Sequence, residues 1–255
     1  MAAQAAGGYD HQRLFPDWAQ TILLPALRER RESDATVKLL KPPGVYAPQE
    51  DTAMLMSALR REHLSPRAEV LDVGTGTGAV AIAAAHHGAA RVVAIDTSAV
   101  AVFTTRLNAL LSGHARAIRV SRGDLTEPVT GLRFDLVLAN PPYVPSADVP
   151  MAGRGAARAW EAGVDGRAVI DQLCAKVPAL LRPRGVLLVV HSVMSDPAMT
   201  VARLTEAGLD VTVTERRFVP FGPVLRERAD WLEAQGLIEH GQEKEELVVI
   251  RAEQP

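Results

Sequence analysis

The ten residues LVLANPPYVP, Leu136 to Pro145, put an amide side chain where folding alone asks for none. The apolar run up to Ala139 reads as a buried strand of a parallel sheet. Proline ends such a strand, because it lacks the ladder N–H and fixes its own φ. Pro141 also pushes Asn140 towards extended angles. A single proline would stop the strand. Here Pro141, Pro142 and Tyr143 follow in a row and hold the Asn140 amide at a stiffened strand end.

A second set of residues suggests a ligand. VLDVGTGTGAVAIAAA spaces Gly74, Gly76 and Gly78 alternately in a strand-to-helix turn, where glycine lets a ligand approach the main chain. This is not the G-x-G-x-x-G of dinucleotide sites, which aims a helix at pyrophosphate. Asp96 ends the next strand, where a carboxylate can accept two hydrogen bonds from ribose hydroxyls. Alone, each feature also suits a tight turn or a capped helix. In register they favour a nucleoside without pyrophosphate. In RGDLTEP, Asp124 is placed to accept from an adenine amino group, with Leu125 beside the ring. Asp124 is equally a turn residue by itself, but loops after successive parallel strands converge on one crevice.

The elements that must position these residues alternate from Ala68 onwards. Strands are predicted over 68–74, 91–96, 116–124, 134–140 and 185–192, and helices over 78–88, 98–111 and 167–181. The pattern predicts a doubly wound, mostly parallel α/β sheet. Two tail strands, 209–219 and 245–252, flank a polar segment that is part helix. Before the sheet, 41–52 is a proline-rich loop and 53–64 a helix. An amphipathic helix is expected over 17–31 from Trp18, Ile22, Leu23 and Leu27. The domains are expected as 1–41, an extension, and 42–255.

Composition narrows the classes. Of 255 residues, 47% are hydrophobic and 23% charged, with a net charge of −2, as in soluble globular chains. That balance does not favour nucleic acid, and the basic clusters at Arg28, Arg30 and Arg31 and at Arg216 and Arg217 read as solvated faces. The single cysteine, Cys174, excludes a disulfide framework and a thiolate metal site. No histidine spacing suggests a metal. No apolar run is long enough for a membrane, and the start lacks the regions of a signal peptide. A cytoplasmic location is expected.

In order along the chain, GVYAPQEDT, LDVGTGTG, Asp96, GDL, NPPY and WEAGVDG (Trp160–Gly166) resemble the class I S-adenosylmethionine-dependent methyltransferases of the HemK type, over roughly 42–252. The resemblance implies a Rossmann-like sheet of order 3-2-1-4-5-7-6 with its last strand antiparallel. It also implies S-adenosylmethionine as cofactor. Gly74, Gly76 and Gly78 would line its methionine part, with Asp72 near the ammonium and Asp96 at the ribose. Asp124 and Leu125 would hold the adenine, and Thr52 would add a contact from the preceding loop.

On this resemblance the asparagine has a task. An amide or aromatic amine nitrogen is a poor nucleophile, its lone pair being delocalised. Two acceptors, the Asn140 side-chain oxygen and the Pro141 carbonyl, would hold its N–H bonds and stabilise positive charge developing on nitrogen. Pro142 keeps them rigid, and Tyr143 can cover the planar group. The signature is shared by enzymes acting on protein glutamine and on adenine or guanine amino groups. The protein-glutamine branch, whose substrate is the Gly-Gly-Gln loop of translation release factors, is the most similar. GVYAPQEDT resembles its short form, in which a small zinc-binding partner protein covers apolar surface. Alternative acceptors are a base or a small-molecule amide or amine. A non-catalytic cofactor-binding module fits least.

Overall fold

The computed structural model describes residues 39–146 and 162–255, all within one unit, Leu39–Pro255. The expected helix over 17–31, and Trp160 and Glu161 of the WEAGVDG motif, lie outside the described residues. Seven strands form one sheet: β1 (Glu69–Val73), β2 (Arg91–Asp96), β3 (Ile118–Arg122), β4 (Phe134–Ala139), β5 (Leu181–Ser192), β6 (Asp210–Pro220) and β7 (Lys244–Glu253). Their order is β3-β2-β1-β4-β5-β7-β6, with β7 antiparallel to both neighbours and the other pairs parallel. β1, β2 and β4 are almost wholly buried. A strand covered on both faces is mostly apolar rather than alternating, and Asp72 is the buried exception within β1.

Six helices accompany the sheet among the described residues: α1 (Glu50–Arg61), α2 (Ala79–His86), α3 (Ala99–Leu111), α4 (Ala168–Lys176), α5 (Pro197–Glu206) and α6 (Pro223–Ala234). α1 packs on α2 and α2 on α3, while α4 packs on α5. The main core includes Met54, Leu55 and Leu59 of α1 and Phe134, Leu136 and Leu138 of β4. A smaller cluster, Phe221, Leu225, Leu232 and Ile238, roots α6, and Val144 packs against both. None of the helices is long and apolar enough to cross a membrane.

Among the boundaries that differ from those predicted, two bear on the site. The loop before α1 ends at Gln49, so Asp51 and Thr52 stand in the first helical turn. Glu50 and Asp51 there complement the positive end of the helix dipole. The helix predicted over 167–181 stops at Lys176, because Pro178 cannot continue it. A short 3₁₀ turn, Pro178–Leu180, follows, and Leu181 joins β5 opposite Phe134.

Register decides what meets at the sheet edge. Val73 pairs with Ala139 on one side and Ile95 on the other. Gly74, Asp96 and Asn140 therefore leave neighbouring strands at the same level. Asp96 pairs with Arg122, which puts Asp124 just beyond. β7, running the other way, brings its first residues to this edge.

Candidate active site

A cavity of about 230 Å³ opens at that edge. With one exception, the expected site residues line it: Thr52, Asp72, Gly74, Gly76, Asp96, Asp124, Leu125, Asn140, Pro141, Pro142 and Tyr143. The exception is Gly78, which has a packing task. It caps α2 at φ +82, and a Cβ there would lie 2.8 Å from the Thr105 methyl carbon. Only glycine combines that backbone with that approach.

The glycine turn is fastened to β2. The Gly74 and Thr75 N–H groups donate to the Ile95 carbonyl, and the Gly76 N–H donates to Asp96 Oδ2 at 2.9 Å. Asp96 Oδ1 accepts from the Ser98 N–H at 2.8 Å. Asp96 thus organises the turn and still has lone pairs for a ligand. Burial pushes its carboxyl up, while the N–H groups of Ser98, Gly76 and Thr97 pull it down. Asp72 is 2% exposed, and its Oδ2 has no hydrogen-bond partner. Burial raises its carboxyl to about 7, with the Thr75 hydroxyl and the Ala81 amide acting in the opposite direction. An orphaned buried carboxylate oxygen beside a glycine turn suits a cationic ligand group.

The front of the asparagine signature is tied to α1 through a residue the sequence reading did not select. Asp51, 2% exposed, receives Tyr46 Oη at 2.6 Å and Tyr143 Oη at 3.2 Å on Oδ2. Its Oδ1 accepts from the Thr52 N–H and hydroxyl. The Asn140 Nδ2 donates in turn to Thr52 Oγ1 at 3.3 Å. Asp51 therefore holds Tyr143 directly and Asn140 through Thr52. Burial first, then Asp51 and Glu245, push both tyrosine hydroxyls well up, so both stay protonated donors.

The back of the signature is held by other segments. Ser195 Oγ donates to the Tyr143 carbonyl at 2.7 Å, and the Ser146 N–H to the Gly163 carbonyl. Arg228 of α6 donates to the Val144 and Pro145 carbonyls, each at 3.2 Å. Gly166, the last residue of WEAGVDG, has φ +73, and a Cβ there would come within 2.2 Å of the Tyr143 oxygen. The following residue, Arg167, is 3% exposed and binds Asp171 and the Asp196 carbonyl. Gly166 thus lets the chain pass flush behind Tyr143.

Glu245 of β7 also lines the cavity, is 5% exposed and has an Oε2 without a partner. In sequence it looked like one polar residue of an ordinary strand, and nothing local distinguishes it. Among the described residues no group of His, Cys, Asp and Glu is arranged to hold a metal.

Known proteins resemble this chain. The family model "Methyltransferase small domain" matches residues 36–153. A Methanocaldococcus jannaschii protein, provisionally named a protein N5-glutamine methyltransferase, is 33% identical over 187 residues, 72% of this chain and 91% of its own. The release factor glutamine methyltransferase of Xylella fastidiosa is 36% identical over 218 residues, 82% of this chain and 78% of its own. Against that of Moorella thermoacetica, also 36% identical, the match spans only 60% of the relative's length. Among solved structures, the E. cuniculi Mtq2–Trm112 complex, described as responsible for methylating the eRF1 translation termination factor, matches with a TM-score of 0.54. Its identity is 28%, over 83% of this chain and 99% of that one. With the glycine turn, Asp96 and Asn-Pro-Pro-Tyr gathered at one sheet edge, the chain belongs to the HemK-type S-adenosylmethionine-dependent methyltransferases.

Proposed function

We propose that the chain methylates the side-chain amide nitrogen of a glutamine in a protein, of the kind carried by the Gly-Gly-Gln loop of a translation release factor. The observation that carries this is the tether from Asn140 Nδ2 to Thr52. With its N–H₂ end engaged there, the amide presents its oxygen to the cavity as an acceptor. A planar group with two N–H bonds, such as glutamine's, is what two fixed acceptors, Asn140 Oδ1 and the Pro141 carbonyl, would hold. The relatives named for glutamine methylation support the same acceptor.

The cavity suits S-adenosylmethionine. Asp72, with its orphaned oxygen, would face the ammonium, Gly74 and Gly76 would line the methionine part, and Asp96 would take the ribose. Asp124 and Leu125 would bound the adenine, and Thr52 lies between cofactor and acceptor. When bound, the cofactor supplies an electrophilic methyl group on a sulfonium. Asn140 and Pro141 align the acceptor nitrogen and favour the charge that develops on it, since their oxygens are preorganised and need no reorientation. Tyr143, fixed by Asp51, closes one wall against water.

The methyltransferase domain in this proposal starts at residue 42, behind an extension over 1–41. A small partner protein belongs to it too, because the solved relative was described in complex with Trm112. A cytoplasmic location suits a translation substrate. The test is incubation with labelled S-adenosylmethionine and a release factor or a Gly-Gly-Gln peptide, with and without a Trm112-type partner, followed by mass spectrometry. One methyl on the glutamine is expected, with little dependence on salt. Label on nucleic acid, with a rate falling about a hundredfold or more as salt rises, would favour a base as acceptor.

A further inference from the structure

A nitrogen that accepts a methyl group becomes cationic and must release a proton, and neither Asn140 nor Pro141 is a base. Among the described residues of the cavity wall, two carboxyl groups keep a buried oxygen without a partner, Asp72 and Glu245. Asp72 stands at the glycine turn. Glu245 stands at the start of β7, opposite Val219 of β6, and lines the cavity together with Asn140, Pro141 and Tyr143. It is placed there because β7 runs antiparallel to β5 and delivers its first residues to the edge where the parallel strands end.

The groups facing Glu245 decide its behaviour. Among the described residues these are Asp51 of α1, Tyr46 of the loop before it, Tyr143 of the signature and the Ser192 hydroxyl of β5, and none of the four is a cation. The oxygens of Asp51 are committed to four donors: two tyrosine hydroxyls and the Thr52 N–H and hydroxyl. Glu245 is the carboxyl of this pair that is free to exchange a proton.

We propose that Glu245 is the proton acceptor of the methyl transfer. The sulfur–methyl bond breaks with its electron pair left on sulfur, and the nitrogen lone pair forms the new N–C bond. One N–H bond of the methylated amide then breaks, its pair returns to nitrogen, and the proton moves to the Glu245 carboxylate. Burial, together with Asp51, raises this carboxyl to about 7, against the Ser192 hydroxyl. A base titrating near the working pH is best matched to such a transfer. The inference deepens the proposed function and rests on an acceptor nitrogen that carries hydrogen.

Glu245→Gln keeps the shape and hydrogen bonding but cannot take the proton. On a Gly-Gly-Gln peptide we expect kcat to fall about a hundredfold with KM little changed. The rise of kcat towards pH 7 should vanish, and Glu245→Asp should recover part of the rate. A Gln variant with wild-type kcat and pH profile would overturn the assignment while leaving glutamine as acceptor. A second readout needs no turnover: carbon-13 NMR of glutamate-labelled protein with S-adenosylhomocysteine bound. A carboxyl titrating near pH 7 that disappears in Glu245→Gln is expected; one titrating near the ordinary value of about 4.3 overturns the proposal. Should the wild type leave the peptide unmethylated, the glutamine reading fails, and the NMR titration alone decides for or against Glu245.

Discussion

The Asn140 side-chain nitrogen donates to the Thr52 hydroxyl at 3.3 Å, across 88 positions of sequence. On the proposed function, Thr52 thereby turns the oxygen end of the Asn140 amide towards the acceptor. Thr52→Val keeps the volume but removes the acceptor, a loss of about 1 kcal/mol. We expect kcat to fall roughly five- to tenfold, with Thr52→Ser close to wild type. Equal rates in the Val and Ser variants would mean that the amide is oriented by something else.

Asn140 itself is expected to act mainly in the transition state. Asn140→Ala should lower the rate by about 10²–10³, and affinity for S-adenosylhomocysteine should change far less, since the glycine turn and Asp96 are untouched. Asn140→Asp keeps the size and the acceptor but adds a charge, and we expect it to be badly impaired as well. Normal turnover by a folded Asn140→Ala variant would remove the asparagine from the chemistry.

Asp96 has two tasks, so its loss should be read by two measurements. Without its charge-assisted hydrogen bonds, worth about 1.5–3 kcal/mol, Asp96→Ala should bind S-adenosylhomocysteine roughly ten- to a hundredfold more weakly. The Gly76 N–H also loses its acceptor, so hydrogen exchange at Gly76 should quicken even without ligand. Unchanged calorimetric affinity in a folded variant would take Asp96 out of the site.

Gly166→Ala tests the support behind the signature. The added Cβ would meet the Tyr143 carbonyl at 2.2 Å, in a left-handed backbone. Overpacking and the backbone penalty together suggest a loss of about 2–4 kcal/mol. Thermal unfolding should shift down by several degrees, and the remaining folded protein should show a lowered kcat, because Tyr143 must move. A variant with wild-type Tm and kcat would show that the contact yields freely.

Asp72 gives a pH dependence of definite sign. Its carboxyl titrates at 3.8 when unperturbed and at about 7 in the folded protein. Between those values the folded state holds a proton that the unfolded chain has released. Its contribution to stability is therefore complete at low pH and is lost as pH rises towards about 7. Asp72→Asn should flatten that part of the Tm–pH curve. A cationic ammonium beside the carboxylate would favour ionisation, so binding S-adenosylhomocysteine near pH 7 should release a proton. Calorimetry in buffers of different ionisation enthalpy would detect it.

Much of this arrangement was legible in the sequence. Apolar runs marked β2 and β4, and β1 apart from Asp72, and the glycine spacing and terminal acids pointed to the turn, Asp96 and Asp124. What stayed hidden depends on distant partners. Asp51 looks like one more acid opening a helix, and only the fold brings Tyr46, Tyr143 and Thr52 around it. Glu245 is masked by strand alternation, since which of two adjacent glutamates faces inwards depends on register with β6. WEAGVDG was recognisable as a motif, but Gly166 makes sense only once Tyr143 lies against it.

β4 occupies the middle of the sheet, and Asn140 follows its last residue. On one flank, β1, β2 and β3 present the glycine turn, Asp96 and Asp124. On the other, the segments from β5 to β7 present Ser195, Arg228 and Glu245. The signature is thus a seam between surfaces built from the two halves of the sheet. On the proposed assignment, the second flank, apart from Glu245, is free to diverge towards new acceptors while the first stays constrained by one cofactor. Grafting the β5–β7 half of a relative onto this chain should exchange substrate preference and leave S-adenosylhomocysteine affinity nearly constant, provided the cut falls at the signature.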